Sequence, residues 1–159
     1  KVYMTKDVNA WAMANGCIRV YSGLMDMMTD DEVLGVVGHE IGHVALGHSK
    51  KAMQTAYTVS AARDAAGAAG GATVAALNSS QLGDLTEKFI NAQFSQSQES
   101  AADDYSFDQL QAKKLNTRGL VTAFQKLAEL DGGKSDMMSS HPSSAKRAQH
   151  IEDRIAKAK

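Results

Sequence analysis

At 159 residues the chain is most simply one domain over residues 1–159, long enough to bury a core. An apolar fraction of 43% and a charged fraction of 22% suit a globular protein, and the most apolar window, 61–77, carries Arg63, Asp64, Gly67, Gly70 and Gly71, which excludes a transmembrane helix there. Lysine plus arginine (17) nearly balance aspartate plus glutamate (18), so nothing points to a nucleic-acid partner or an anionic membrane surface.

The chain opens at Lys1 with neither an initiator methionine nor a signal-like apolar run. We therefore expect a processed or partial sequence whose targeting information lies upstream. Residues 1–23 read as extended. Val2 and Tyr3 are β-formers, Trp11 to Ala14 is a short apolar run, Asn15-Gly16 is a two-residue hairpin signal, and Cys17 to Tyr21 alternates as a strand does. A small antiparallel sheet of about three strands is expected. Cys17, the single cysteine, reads either as a small buried apolar residue or as half of a disulfide to an upstream partner.

Leu24 to Met28 reads as a short helical turn. Thr29-Asp30-Asp31-Glu32 has the form of a capping box and opens a helix expected to run to about Ser49. Val33, Leu34, Val36, Val37, Ile41, Val44 and Leu46 make that helix apolar on nearly every side, which predicts a buried central helix. It contains Gly38-His39-Glu40-Ile41-Gly42-His43. Four residues of helix rotate one side chain by only about 40° from the other, so His39 and His43 share a face one turn apart. Two neutral imidazoles held in that way can grip one Zn²⁺, and Glu40, about 100° round the helix, can reach a water beside the metal. The plainer alternative is a buried helix that happens to carry two histidines. Buried imidazoles and a buried carboxylate need partners to offset their desolvation, and a metal would supply them.

From Lys50 to Ser80 the composition shifts to alanine, glycine and serine, predicting helix first and then either a low-complexity spacer or a lid. Leu82 to Leu115 reads as mostly helical, with Phe89, Ile90, Phe94, Tyr105 and Leu110 as core candidates. Asn116-Thr117 separates it from a helix with a Leu120, Phe124, Leu127 stripe that ends at Asp131-Gly132-Gly133. After a loop with Met137, Met138, His141 and Pro142, Ser143 or Ser144 caps a last helix with the stripe Ala148, Ile151, Ile155.

A hydrolytic zinc site keeps three protein ligands and an open position. The pattern HExxHxxGxxH would need glycine at 46 and histidine at 49, where the chain has Leu46 and Ser49. His48 lies close by, but on a continuous helix it points about 140° away from His43, and we read it as structural. The other solution is a carboxylate on a second helix. Glu99, with Asp103 one turn later on the same face, meets it: Glu99 completes a His₂Glu set, and Asp103 accepts the free ring N–H of a ligand histidine. An exposed acidic helix is the alternative.

HEIGH on a core helix, Glu99-Ser100-Ala101-Ala102-Asp103 on a later one, and a late His141-Pro142 before a helix together resemble the HtpX/CAAX-prenyl-protease family of gluzincin metallopeptidases. Asn9-Ala10-Trp11-Ala12 and Leu24 after a strand are also similar to it, so the resemblance covers the whole chain. Two features depart from the family: an Ala/Gly segment stands where membrane-embedded members insert transmembrane helices, and Gln96 and Gln98 stand near where many carry an arginine. The resemblance implies an α+β, mostly helical zincin-type domain and a Zn²⁺-dependent endopeptidase with Glu40 as general base. It further implies that His141 faces the metal, as oxyanion donor or as a latch on its fourth position, with Arg147 a second donor or a strut. The strand around Asn9 to Ala14, with Asn9, Ala10, Trp11 and Ala12 as its family-like signature, would be an edge strand that binds extended polypeptide substrates, the alternative being that Trp11 is simply a core aromatic. Residues 2–28 and 94–106 resemble a periplasmic outer-membrane lipoprotein branch of that family in Gram-negative bacteria. That implies an envelope location with membrane attachment only through an upstream lipid anchor. The competing class is a zinc-containing chaperone or assembly factor for outer-membrane proteins, with latent proteolysis.

Overall fold

Among the residues described by the computed structural model, 1–68, 94–130, 141 and 144–158, the chain forms three short strands and six helices. They are β1 (Val2–Tyr3), β2 (Ala10–Ala12), β3 (Ile18–Tyr21), α1 (Ser22–Met27), α2 (Asp30–Ala45), α3 (His48–Ala68), α4 (Gln96–Ala112), α5 (Arg118–Glu129) and α6 (Ser144–Lys157). The expectations for Gly70, Gly71, Phe89, Ile90, Met137, Met138 and Pro142 lie outside the described residues.

The fold class is the expected one, but the sheet is mixed rather than antiparallel. Its order is β1-β3-β2, with β2 antiparallel to β3 and β1 parallel to it, Val2 opposite Val20. The reason is the crossing between β1 and β2. It passes the end of β3 and is pinned there, with Thr5 N donating to Ser22 Oγ at 3.0 Å and Gly23 N donating to Thr5 O at 2.9 Å. The hairpin from β2 to β3 also has one residue more than a two-residue turn. Gly16 N donates to Met13 O at 2.9 Å, and Gly16 sits at φ 83°, the arrangement of a type I turn followed by a left-handed bulge residue. Cys17 follows that turn and is exposed, so it is not the buried apolar residue of the first reading.

The capping box on α2 forms as read. Thr29 N donates to Glu32 Oε2 at 2.7 Å, Glu32 N donates to Thr29 Oγ1 at 3.4 Å, and Lys126 Nζ donates to the same Glu32 oxygen at 2.7 Å. Helix α2 is central, packed mainly against α4 and α5, but it is not buried on every side. Leu34, Ile41 and Leu46 are each more than 40% exposed. Its inward face is instead made of Gly35, Val36, His39, Glu40, Gly42 and His43. A Cβ on Gly42 would stand 2.9 Å from the carbonyl oxygen of Ala102, so glycine there lets the backbones of α2 and α4 approach. Ser106 Oγ ties the two helices by donating to Gly35 O at 2.9 Å. The Leu120, Phe124, Leu127 stripe and Ala148 and Ile151 are buried, as their spacing predicts, and with Leu24, Val36 and Phe107 they form the core under the site.

Candidate metal centre and active site

Helix α2 ends earlier than its sequence suggested. Gly47, at φ 76°, takes the left-handed position after Leu46 and donates its N–H to Val44 O at 3.0 Å, and α3 starts at His48. His39 and His43 lie in the last two turns of α2, both with no exposed surface. Helix α4 begins one residue after Ser95, whose side chain and that of Gln98 form a second reciprocal capping box. Gln98, read as a departure from the family, thus holds a helix start. Glu99 follows in the first turn, where the positive end of the helix favours a carboxylate.

Four side chains converge. His39 Nε2 lies 3.0 Å from His43 Nε2, 3.2 Å from His141 Nδ1 and 3.6 Å from Glu99 Oε2. Glu99 Oε1 is 3.2 Å from His43 Nε2 and 3.0 Å from His141 Nδ1. One ligand atom from each of the four lies within 4.8 Å of all the others. Atoms about 2.0–2.1 Å from a tetrahedral zinc stand roughly 3.3 Å apart, so these separations are those of the corners of such a site. Glu40 is buried beside it, with Oε1 3.5 Å from His141 Nε2 and that oxygen without a hydrogen-bond partner among the described residues. A buried carboxylate oxygen without a partner, next to three imidazoles and a second carboxylate, fits a centre built to hold a cation and a water.

Behind the cluster, Asp103 Oδ1 lies 2.8 Å from His39 Nδ1, placed to accept its ring hydrogen. Arg147 Nη2 and Nε donate to the two oxygens of Asp103 at 2.6 and 2.8 Å, and Nη1 forms an ion pair with Glu99 Oε2 at 2.7 Å. Arg147 Nη2 is also 3.0 Å from His39 Nδ1. With that nitrogen donating to Asp103, the approach is two donors sharing an acceptor rather than a bond. The guanidinium lies 4.0 Å from the Phe124 ring centre and is 5% exposed, so Arg147 braces the carboxylates from inside.

The electrostatics follow from burial and these neighbours. Burial, then the Arg147 charge, keeps the His39 imidazole well below its ordinary pKa, and burial lowers His43 to about 4. Both are therefore neutral near pH 7, the form that ligates a metal. Burial pushes Glu40 up to about 7, opposed first by the charge of His141. Burial works against Glu99 too, but the charge of His141 and hydrogen bonds from His141 and His43 hold it well below the usual carboxylate range. Asp103 is raised by burial, with Arg147 opposing the rise. Burial also disfavours charge on His141, yet Glu99 and Glu40 flanking it raise its pKa.

The Peptidase family M48 profile matches residues 1–155. The chain belongs to peptidase family M48. It is 60% identical to the metalloprotease YcaL of Escherichia coli over its full length and 62% identical to the metalloprotease LoiP of the same organism over 98% of its length. It spans 63% and 62% of the lengths of those two relatives. The protease HtpX of Actinobacillus pleuropneumoniae is 46% identical over 29% of the chain and 17% of its own length.

Within this M48 domain the structure brings His39, Glu40, His43, Glu99, Asp103, His141 and Arg147 into one cluster. Asn9, Ala10, Trp11 and Ala12 lie on and just before β2, an edge strand packed against α2, and the backbone of Ala12 acts on the Glu40 carboxylate as a hydrogen-bond donor. The sequence reading set His48 aside as structural, pointing away from His43 on a continuous helix. The helix break at Gly47 turns it back, so that its Nδ1 lies 3.1 Å from His43 Nδ1. Gly47 after an apolar run was the signal for that break.

Proposed function

We propose that the chain is the catalytic domain of a zinc-dependent endopeptidase, with His39, His43 and Glu99 as metal ligands and Glu40 as general base. The observation that carries this reading is the convergence of four buried donor atoms at tetrahedral spacing beside an unpartnered buried carboxylate oxygen. Bound zinc supplies Lewis-acid polarisation of the scissile carbonyl and lowers the pKa of water toward ~7. Glu40 takes the proton of the attacking water and passes it to the leaving amine. Asp103 fixes the His39 tautomer, and Arg147 holds Asp103 and Glu99 in place. An extended polypeptide would lie along the free edge of β2. Asn9 there is 2% exposed with its Oδ1 unpartnered, and the Trp11 indole N–H is also buried without a partner among the described residues. Digestion of an unfolded protein such as casein tests the reading. Cleavage should stop on chelation and return with added zinc, whereas chelator-resistant cleavage, or binding with no cleavage under any zinc condition, would support a different class.

The position of His141 favours a resting state within that function. Its Nδ1 occupies the fourth corner of the cluster, the place an attacking water needs. His141→Phe should keep zinc and raise turnover, as measured by peptide hydrolysis. A fall in kcat with KM and zinc content unchanged would instead assign His141 to stabilising the oxyanion, a contribution of about 3 kcal/mol. Misfolded or envelope polypeptides in the periplasm are the substrates this reading expects, with attachment to the outer membrane through an upstream lipid anchor. Its support is the sequence resemblance, together with relatives from a Gram-negative bacterium. No described helix is long and apolar enough to cross a membrane.

A further inference from the structure

We propose that His48 is the positioning residue for His43, accepting the His43 Nδ1 hydrogen and so fixing the tautomer and ring orientation in which Nε2 faces the cluster. The inference rests on the metal-site reading above. The two Nδ1 atoms are 3.1 Å apart with the rings tilted 65° to each other, and two nitrogens at that separation share a single hydrogen. His43 Nε2, 3.0 Å from His39 Nε2 and 3.2 Å from Glu99 Oε1, has to keep its lone pair for a metal. The hydrogen therefore sits on His43 Nδ1, His48 Nδ1 accepts it, and His48 carries its own hydrogen on Nε2.

Among the described residues, the surroundings of His43 leave this task to His48. Phe94 stacks on the His43 ring, with centres 3.9 Å apart and planes 28° from parallel, which fixes the plane of the ring but not which nitrogen faces the cluster. For His39 the same choice is made by Asp103, at 2.8 Å from its Nδ1. The turn at Gly47 makes the contact available, since its φ of 76° breaks α2 and brings the first residue of α3 back beside His43. The two ligand histidines of one helix thus have different partners, a carboxylate for the first and a neutral imidazole for the second.

Zinc affinity measured by competition with a chelator tests the assignment in wild type, His48→Asn and His48→Phe. Asparagine places an acceptor oxygen where Nδ1 stood, and phenylalanine keeps the ring shape without one. We expect His48→Phe to bind zinc about 10–100-fold more weakly, as lost support of a ligand typically does, and His48→Asn to stay within a few-fold of wild type. Wild-type affinity in His48→Phe, or an equal loss in both variants, overturns the proposal. A wild-type protein that takes up no zinc overturns the metal-site reading itself and this inference with it. Nitrogen-15 histidine spectra of the zinc-loaded wild type give a readout that does not depend on either variant folding. A hydrogen on His43 Nδ1 and on His48 Nε2 is the expected pattern, and a hydrogen on His48 Nδ1 contradicts it.

Discussion

Glu40→Gln should abolish most hydrolysis while leaving zinc bound. The amide has the shape of the carboxylate but takes no proton from water, and loss of a general base costs roughly a hundred- to ten-thousand-fold in rate. The same substitution should stabilise the zinc-free protein. Burial raises Glu40 from 4.5 to about 7, so between those pH values the folded state holds a proton the unfolded state has released. Stability therefore falls as pH rises through this window, and above pH 7 the whole penalty is present, about 3 kcal/mol at 1.36 kcal/mol per pH unit. In chelator, Glu40→Gln should unfold later than wild type at pH 8, and the gap should close as pH falls toward 4.5. Urea unfolding at both pH values checks this. Wild-type turnover in the variant would remove Glu40 from catalysis, and an unchanged gap across the pH range would remove the burial penalty.

Removing Arg147 should destabilise the zinc-free fold strongly. Its guanidinium is the shared partner of Asp103 and Glu99, both nearly free of solvent exposure. Arg147→Met keeps much of the packing against Phe124 but leaves two buried carboxylates without their cation, and breaking a buried pair in this way costs about 3–5 kcal/mol. For a domain of this size that is a fall in Tm of about 10 °C, and zinc should recover part of it by neutralising Glu99. Arg147→Lys retains a point charge but loses the fork that spans Asp103, so it should fall between the two. Arg147→Met within ~0.5 kcal/mol of wild type would show that the brace is not stabilising.

What was legible in the sequence is what short-range periodicity specifies. The four-residue spacing of His39 and His43, the Thr29 to Glu32 box and the Leu120, Phe124, Leu127 stripe each depend on neighbours within two turns of helix, and all appear in the fold. Glu99 and Asp103 could be read for the same reason, as an i, i+4 pair on α4. What was missed depends on contacts across the chain. The parallel pairing of Val2 with Val20 has no local signature, because it is set by how 4–9 cross the end of β3. The apolar residues of α2 suggested burial on every side, yet close approach to α4 selects small and polar residues for the inward face and leaves Ile41 outside. Arg147 had a weaker signal: a long cation beside Ala148 and one turn before Ile151, inside an otherwise apolar stripe, needs buried anions. His48 was misplaced because α2 was continued through Gly47.

Zinc content per chain, compared between wild type and Glu99→Ala, tests the central claim most directly. The account predicts one zinc per wild-type chain after dialysis against trace metal, no stoichiometric zinc in Glu99→Ala, and an intermediate ~10–100-fold loss of affinity in Asp103→Ala. Equal, full zinc in wild type and Glu99→Ala would contradict it, because the metal would then be held without the carboxylate that completes the cluster.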